Sequence, residues 1–157
     1  MTAVQPNDGT GTGEGNEPGQ KESFDTATVL TISGSHMAHD TYSSFLAPLL
    51  PLLITKLSIP LAAAGALATI ARLPFIMQPF FGLWADKADA RYFVIAGPAV
   101  TAIMLSCIGV APSFWVVAAL LVAGGISAAA FHPAAAATVT RASGKTLGRG
   151  SSFYMTG

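Results

Sequence analysis

Two histidines and an aspartate lie close together near the start of a long apolar stretch. His36, His39 and Asp40 occur in the segment SHMAHDTYSSF, residues 35–45. On an α-helix these three side chains fall within an arc of about 100° on one face. Imidazole titrates near neutral pH and is also a common metal ligand. The pattern therefore allows either the handling of a proton or a substrate, or the binding of a metal ion.

Metal binding is the less favoured of these two hypotheses. The zincin motif HEXXH is absent, and the single cysteine, Cys107, belongs to no cluster. The remaining histidine, His132, is far along the chain, at about the membrane depth predicted for His36. We predict no resident metal or other cofactor, and proton or substrate handling at His36, Asp40 and His132. Helix packing, with a neutral imidazole bonded to a backbone carbonyl, remains the alternative for His39 and His132.

The composition indicates that lipid is the solvent of most of the chain. Hydrophobic residues make up 52% of the 157 residues and charged residues only 10%, against roughly 25% charged in soluble domains. The formal net charge is +0, and no block of Lys and Arg offers a footprint for nucleic acid. We predict a multi-pass protein of the cell membrane and exclude nucleic-acid binding.

Uncharged runs separated by short polar segments predict an all-α, polytopic transmembrane helix bundle. Continuously apolar runs of about 20 residues suit membrane helices and lack the alternation of a β-barrel. The predicted spans cover residues 28–55, 60–84, 93–111 and 113–139, with the start of a fifth at about 148. Residues 1–25, rich in Gly, Asn and Glu, are predicted to form a disordered tail. Residues 26–157 are predicted to form a partial transmembrane domain.

The basic residues indicate the orientation in the membrane. They concentrate in the second and fourth connections, which contain Lys87, Arg91, Arg141, Lys145 and Arg149. The opposite connections carry only Lys56. The positive-inside rule therefore predicts a cytoplasmic N-terminus.

Two charged residues are predicted to lie near the middle of the membrane. Asp40 is twelve residues into the first span and Arg72 is twelve residues into the second, counted from opposite ends. At about 1.5 Å per residue, both reach a similar depth. Inserting such a charge alone costs roughly 2.5–3.5 kcal/mol. We predict that the two pair or share one hydrated cavity; a purely structural ion pair and a functional one both remain open.

The segment GLWADKADARYF, residues 82–93, resembles the loop between helices two and three of the major facilitator superfamily, usually written G-x-L-A-D-R-x-G-R-R/K. It keeps Gly82, Asp86 and the final basic residue, Arg91, and has Lys87 in place of the first arginine. In that family the loop latches the two halves of the transporter. The resemblance implies a cytoplasmic gating loop at these four residues.

Other segments resemble the fosmidomycin-resistance branch of that superfamily, a set of drug-efflux proteins. They are SHMAHDTYSSFLAPLLPLL, LAAAGALATI, QPFFG, AFHPAAAA and GRGSSFYMTG. The resemblance adds Tyr42 to a substrate and proton pathway formed by His36, Asp40, Arg72 and His132. The arginine that many drug/proton antiporters carry in helix four is replaced here by Leu120 or Leu121. Asp40 and the histidines are therefore the candidates for proton coupling.

The resemblance implies the N-terminal fragment of a twelve-helix, proton-coupled exporter of a small drug or metabolite, not an enzyme. Its partners would be the substrate, protons, the lipid bilayer and the missing C-terminal helices of the same transporter. Three alternatives stay open: an importer of a sugar or organic acid on the same scaffold, a small multi-pass partner or assembly protein complete at 157 residues, and a membrane metal or haem protein that uses the three histidines.

Overall fold

The structure, a computed structural model, describes residues 23–87 and 89–156, except for the side chain of Asp86. Residues 1–22, most of the predicted tail, and Gly157 lie outside the described residues. Within the described ranges the regular structure is helical, as predicted. The elements are α1 (Thr26–Ser44), α2 (Leu46–Leu57), α3 (Leu61–Ile70), a 3₁₀ segment (Leu73–Met77), α4 (Gln78–Lys87), α5 (Ala90–Cys107), a second 3₁₀ segment (Ile108–Val110), α6 (Phe114–Ala142) and α7 (Leu147–Thr156).

The start of α1 is stabilised by Phe24 and Asp25, two residues that were predicted to belong to the disordered tail. The carboxylate of Asp25 accepts a hydrogen bond from the N–H of Thr28 at 3.1 Å and so caps the helix. The N–H of Asp25 donates to the carbonyl of Ala142 at 2.9 Å. Phe24 packs against the buried core, and the guanidinium of Arg149 lies 4.6 Å from the centre of its ring. The tail prediction extends too far, because a capping aspartate and an aromatic anchor precede the first apolar run.

The first predicted span consists of two helices. Helix α1 ends at Ser44 and α2 begins at Leu46, with Phe45 between them. Proline has no N–H, and its ring clashes with the carbonyl four residues earlier. For Pro48 that carbonyl belongs to Ser44, which is where the interruption falls.

The second predicted span is interrupted beside Arg72. Helix α3 ends at Ile70, and a 3₁₀ segment precedes α4. Pro74 cannot donate a hydrogen bond to the carbonyl of Ile70, so the α-helical bond pattern stops there. Arg72 consequently occupies the N-cap position of the 3₁₀ segment and is exposed.

The connection between α4 and α5 is shorter than residues 85–92, the interval left between the second and third predicted spans. Helix α4 continues to Lys87 and α5 already begins at Ala90. The carboxylate of Asp89 accepts a hydrogen bond from the N–H of Arg91 at 3.0 Å and caps α5. Aspartate is a strong N-cap residue, so it sets a short connection here instead of a long loop.

Helices α5 and α6 form the most extensive contact among the described elements. At Gly97 a Cβ atom would lie only 2.7 Å from the Cβ of Phe131, so only glycine allows this approach. The hydroxyl of Ser127 donates to the carbonyl of Gly97 at 2.9 Å. The hydroxyl of Thr101 donates across the same pair of helices, to the carbonyl of Gly124 at 3.4 Å. Small residues and interhelical hydrogen bonds of this kind are how helices associate in lipid.

Three segments of the described chain are long and apolar enough to cross a membrane. They are Leu61–Ala85, Ala90–Val110 and Phe114–Ala142, close to the second, third and fourth predicted spans. The first predicted span is not among them, because polar residues occupy α1 and α2 has only 12 residues. That span stays a prediction.

Candidate functional site

The acidic centre of the candidate site is Asp40 on α1. The Nδ1 of His39 lies 3.1 Å from Oδ1 of Asp40, and the Nε2 of His36 lies 3.6 Å from Oδ2. The His39 side chain is 0% exposed, whereas that of Asp40 is 49% exposed. One face of α1 therefore holds an exposed carboxylate, that of Asp40, next to two less exposed imidazoles, those of His36 and His39.

Helix α6 supplies the third imidazole. The Nε2 of His132 lies 3.9 Å from Oδ1 of Asp40. The ring of His132 meets those of His36 and His39 edge-on, at centroid distances of 5.2 and 4.9 Å. His36 and His132 were predicted to lie at the same depth, and the structure brings them into contact. We call His36, His39, Asp40 and His132 the histidine–aspartate cluster.

Aromatic residues, among them Phe131 and Tyr154, pack against this cluster. The ring of Phe131, which is 0% exposed, lies 5.0 Å from that of His39 and 6.2 Å from that of His36. Tyr154 of α7 places its ring 4.2 Å from His36, and its hydroxyl donates to the backbone carbonyl of His132 at 3.3 Å. The cluster is therefore packed between α1, α6 and α7.

Asp40 and Arg72 lie on the wall of one cavity of about 610 Å³. His132 and Phe75 also line it, as do the small residues Gly124 and Gly125 of α6. Within the part of the chain that the structure describes, no ion pair joins Asp40 to Arg72. Of the two predicted arrangements, the residues thus adopt the shared cavity. A guanidinium, a carboxylate and an imidazole facing one space can bind an anion or exchange a proton.

The cluster contains a set of atoms that could hold a metal ion. Ligand atoms of His36, Asp40 and His132 all lie within 4.8 Å of one another. In a tetrahedral zinc site with bonds of about 2.0–2.1 Å, ligand atoms are about 3.3 Å apart. The separations of 3.6 and 3.9 Å from Asp40 are wider than this, and the set offers three ligands where a structural site uses four. His39, with its Nδ1 beside the carboxylate, does not belong to the set.

The structure places the other predicted residues outside the cluster. Tyr42 is 43% exposed and does not line the cavity of Asp40. Gly82 lies inside α4, where an added Cβ would meet the Cβ of Pro133 at 3.7 Å. Lys87 and Arg91 are exposed at the facing ends of α4 and α5. Asp86 lies in α4, but its side chain lies outside the described residues, so its gating role stays a prediction.

Three features of the site were not predicted from the sequence. His39 was assigned no pathway role, yet it is the most deeply buried member of the cluster. Phe131 and Tyr154 were not singled out, although both contact the imidazoles. The contact between Phe131 and the imidazoles depends on how α6 packs against α1. The contact between Tyr154 and His36 depends on how α7 packs against α1 and α6. Neither contact leaves a local signal in the sequence.

Comparisons with known proteins identify similar sequences. The family model described as Major Facilitator Superfamily matches residues 32–157. An uncharacterized MFS-type transporter, YfnC, of Bacillus subtilis is 30% identical over 142 residues, which cover 88% of this chain and 34% of that protein. The fosmidomycin resistance protein of Escherichia coli is 28% identical over 127 residues, which cover 80% of this chain and 31% of that protein. The chain thus spans about a third of the length of these curated relatives. No solved structure is significantly similar to it.

Proposed function

This chain belongs to the Major Facilitator Superfamily, and on that premise we propose that it forms the N-terminal part of a proton-coupled exporter of a small drug or metabolite. Members of this family are membrane transporters and not enzymes, and their substrates are small molecules. The observation that carries the proposal is Asp40, which lies within 3.9 Å of three imidazoles and on the wall of a cavity shared with Arg72.

The cluster can carry a proton because the proton has only a short distance to move between the carboxylate of Asp40 and the neighbouring imidazoles. Asp40 faces the cavity, where water brings the proton, and His36 and His132 flank its two oxygens. When Asp40 is protonated, its charge no longer attracts a cationic imidazole, and the balance of charge on the cavity wall changes. Protonation of Asp40 couples proton movement to substrate transport if the substrate binds one protonation state of the cavity more tightly than the other.

The substrate site is proposed to be the cavity itself. Arg72 is exposed on its wall at the break between α3 and the 3₁₀ segment, without an ion-pair partner among the described residues. A guanidinium in this position can hold an anionic group by two parallel hydrogen bonds. Because one relative is named for resistance to fosmidomycin, that compound is the first substrate to test.

The ends of α4 and α5 are proposed to form the cytoplasmic latch. Lys87 and Arg91 are exposed there, on either side of the short connection capped by Asp89. The positive-inside rule supports a cytoplasmic position for this connection, and with it a cytoplasmic N-terminus in the cell membrane. An N-terminal tag that is accessible from outside in intact cells would contradict the orientation.

The proposal is tested by drug resistance in cells. Cells that express the full-length product of the gene should tolerate more fosmidomycin than cells with an empty vector. Asp40→Asn should remove this resistance, because an amide does not accept the proton, and Asp40→Glu should keep part of it. Met37→Leu, at an exposed position on the same helix that does not line the cavity, is the matched control. Full resistance in Asp40→Asn at equal membrane abundance would refute the role of Asp40, and greater sensitivity of the wild type would indicate import.

A further inference from the structure

A second cavity, of about 770 Å³, lies between α1, the start of α5 and the end of α6. None of the described residues lines both this cavity and the cavity of Asp40. Arg91, in the first turn of α5, and Arg141, in the last turn of α6, both line it. Because α5 and α6 are consecutive and antiparallel, these arginines lie at the same end of the bundle. We call this space the two-arginine cavity.

Neither guanidinium in the two-arginine cavity has an ion-pair partner within residues 23–87 and 89–156 as described. Two other basic residues are engaged: Lys56 donates to the carbonyl of Gly109 at 2.7 Å, and the guanidinium of Arg149 lies over the ring of Phe24. Asp89 also lines the cavity, but its carboxylate accepts a hydrogen bond from the backbone of α5. Among the described residues that line the cavity, two side chains are basic, Arg91 and Arg141, and one is acidic, Asp89.

The remaining wall of the cavity is largely apolar. It includes Ala27 and Ile32 of α1 and Val94 and Ile95 of α5. Ile95 is 63% exposed, so the wall continues onto the outer surface of α5. A ligand that fits must combine an anionic head with a hydrocarbon portion.

The location of the cavity selects a lipid among such ligands. Ala90–Val110 and Phe114–Ala142 are two of the segments long enough to cross a membrane. The ends of such segments lie at the level of lipid headgroups, where basic pockets between helices bind anionic ones. We propose that the two-arginine cavity binds an anionic phospholipid, with its phosphate at Arg91 and Arg141 and an acyl chain along the apolar wall.

Lipid binding by the purified full-length protein tests this proposal. The protein is titrated with phosphatidylglycerol, phosphatidylcholine or inorganic phosphate, and bound lipid is counted by native mass spectrometry. Phosphatidylglycerol should be retained preferentially. Arg91→Gln and Arg141→Gln should each weaken its binding by about five-fold, the effect expected of one basic residue at an anionic surface. Lys145→Gln, an exposed basic residue at the same end that does not line the cavity, should bind like the wild type.

A second variant separates the cavity from general surface charge. Thr31 is exposed and lines the cavity, so Thr31→Trp should obstruct it and reduce phosphatidylglycerol binding while both arginines remain. Equal loss in Lys145→Gln, or unchanged binding in Thr31→Trp, would overturn the proposal in favour of non-specific attraction. Competition by inorganic phosphate alone at equal concentration would overturn it in favour of a simple anion site. Unchanged binding in both arginine variants would also overturn it. All these outcomes are independent of transport activity.

Discussion

At the scale of single residues, the candidate site depends on which groups surround Asp40. The sequence predicted that His36 and Asp40 share a helix face, because i and i+4 positions do so in any α-helix. It also predicted that His132 lies at the depth of His36, and the two rings are 5.2 Å apart. The burial of His39 was not predictable, since the same helix face could have turned it towards water or towards α6.

The burial of His39 leads to a prediction about stability. Its side chain is 0% exposed and packs against the ring of Phe131. His39→Ala should lower the free energy of unfolding by about 2 kcal/mol or more, as for other large-to-small core substitutions. Thermal unfolding of the purified full-length protein measures this effect.

Tyr42→Ala is the control for that experiment. Tyr42 is on the same helix and 43% exposed, so its removal should change the stability by no more than about 0.5 kcal/mol. An equal loss of stability in the two variants would show that His39 is not packed as described.

At the scale of elements, apolar runs predicted the helices well and prolines decided where they break. The third and fourth predicted spans, residues 93–111 and 113–139, lie within a few residues of Ala90–Val110 and Phe114–Ala142. The interruption beside Arg72 was missed, because a run of apolar residues does not show which backbone carbonyl a proline leaves unpaired. The connection between the second and third predicted spans, residues 85–92, is shorter in the structure, because Asp89 caps a helix that already begins at Ala90.

The contact between α6 and the break beside Arg72 leads to a second prediction. A Cβ atom at Gly125 would lie 2.8 Å from Cγ of Pro74 and 3.1 Å from the backbone oxygen of Ala71. Backbone cannot move aside cheaply, so Gly125→Ala should destabilise the protein by about 1–3 kcal/mol. It should also weaken substrate binding, because the segment that carries Arg72 must shift. Thermal unfolding and a substrate-binding titration measure these two effects.

Gly65→Ala provides the matched control for Gly125→Ala. Gly65 lies within α3, and no atom of the described residues outside that helix lies within 4 Å of a Cβ placed there. Alanine is favoured over glycine inside a helix by roughly 0.5–1 kcal/mol, so this variant should be neutral or slightly more stable. Destabilisation of Gly65→Ala to the same degree would mean that helix packing at Gly125 is not the cause.

At the scale of the whole molecule, the described helices leave many large apolar side chains exposed. Leu61, Ile76, Val110, Trp115 and Met155 are each at least 73% exposed, which suits surfaces that contact lipid or further helices. The all-α membrane bundle and the superfamily were predictable, because long apolar runs and the motif at Gly82–Arg91 are local features of the sequence. Coupling between a proton and a substrate is a property of two conformations, so neither the sequence nor one structure determines it.

The measurement that tests the central claim most directly is proton movement driven by substrate. Full-length protein is reconstituted in liposomes that contain a pH-sensitive dye, and a gradient of fosmidomycin is imposed. The wild type should move protons against the direction of the drug, and Asp40→Asn should move none while it still binds the drug. Proton movement in Asp40→Asn equal to that of the wild type, at equal reconstitution, would contradict the account, because a group other than the histidine–aspartate cluster would then carry the proton.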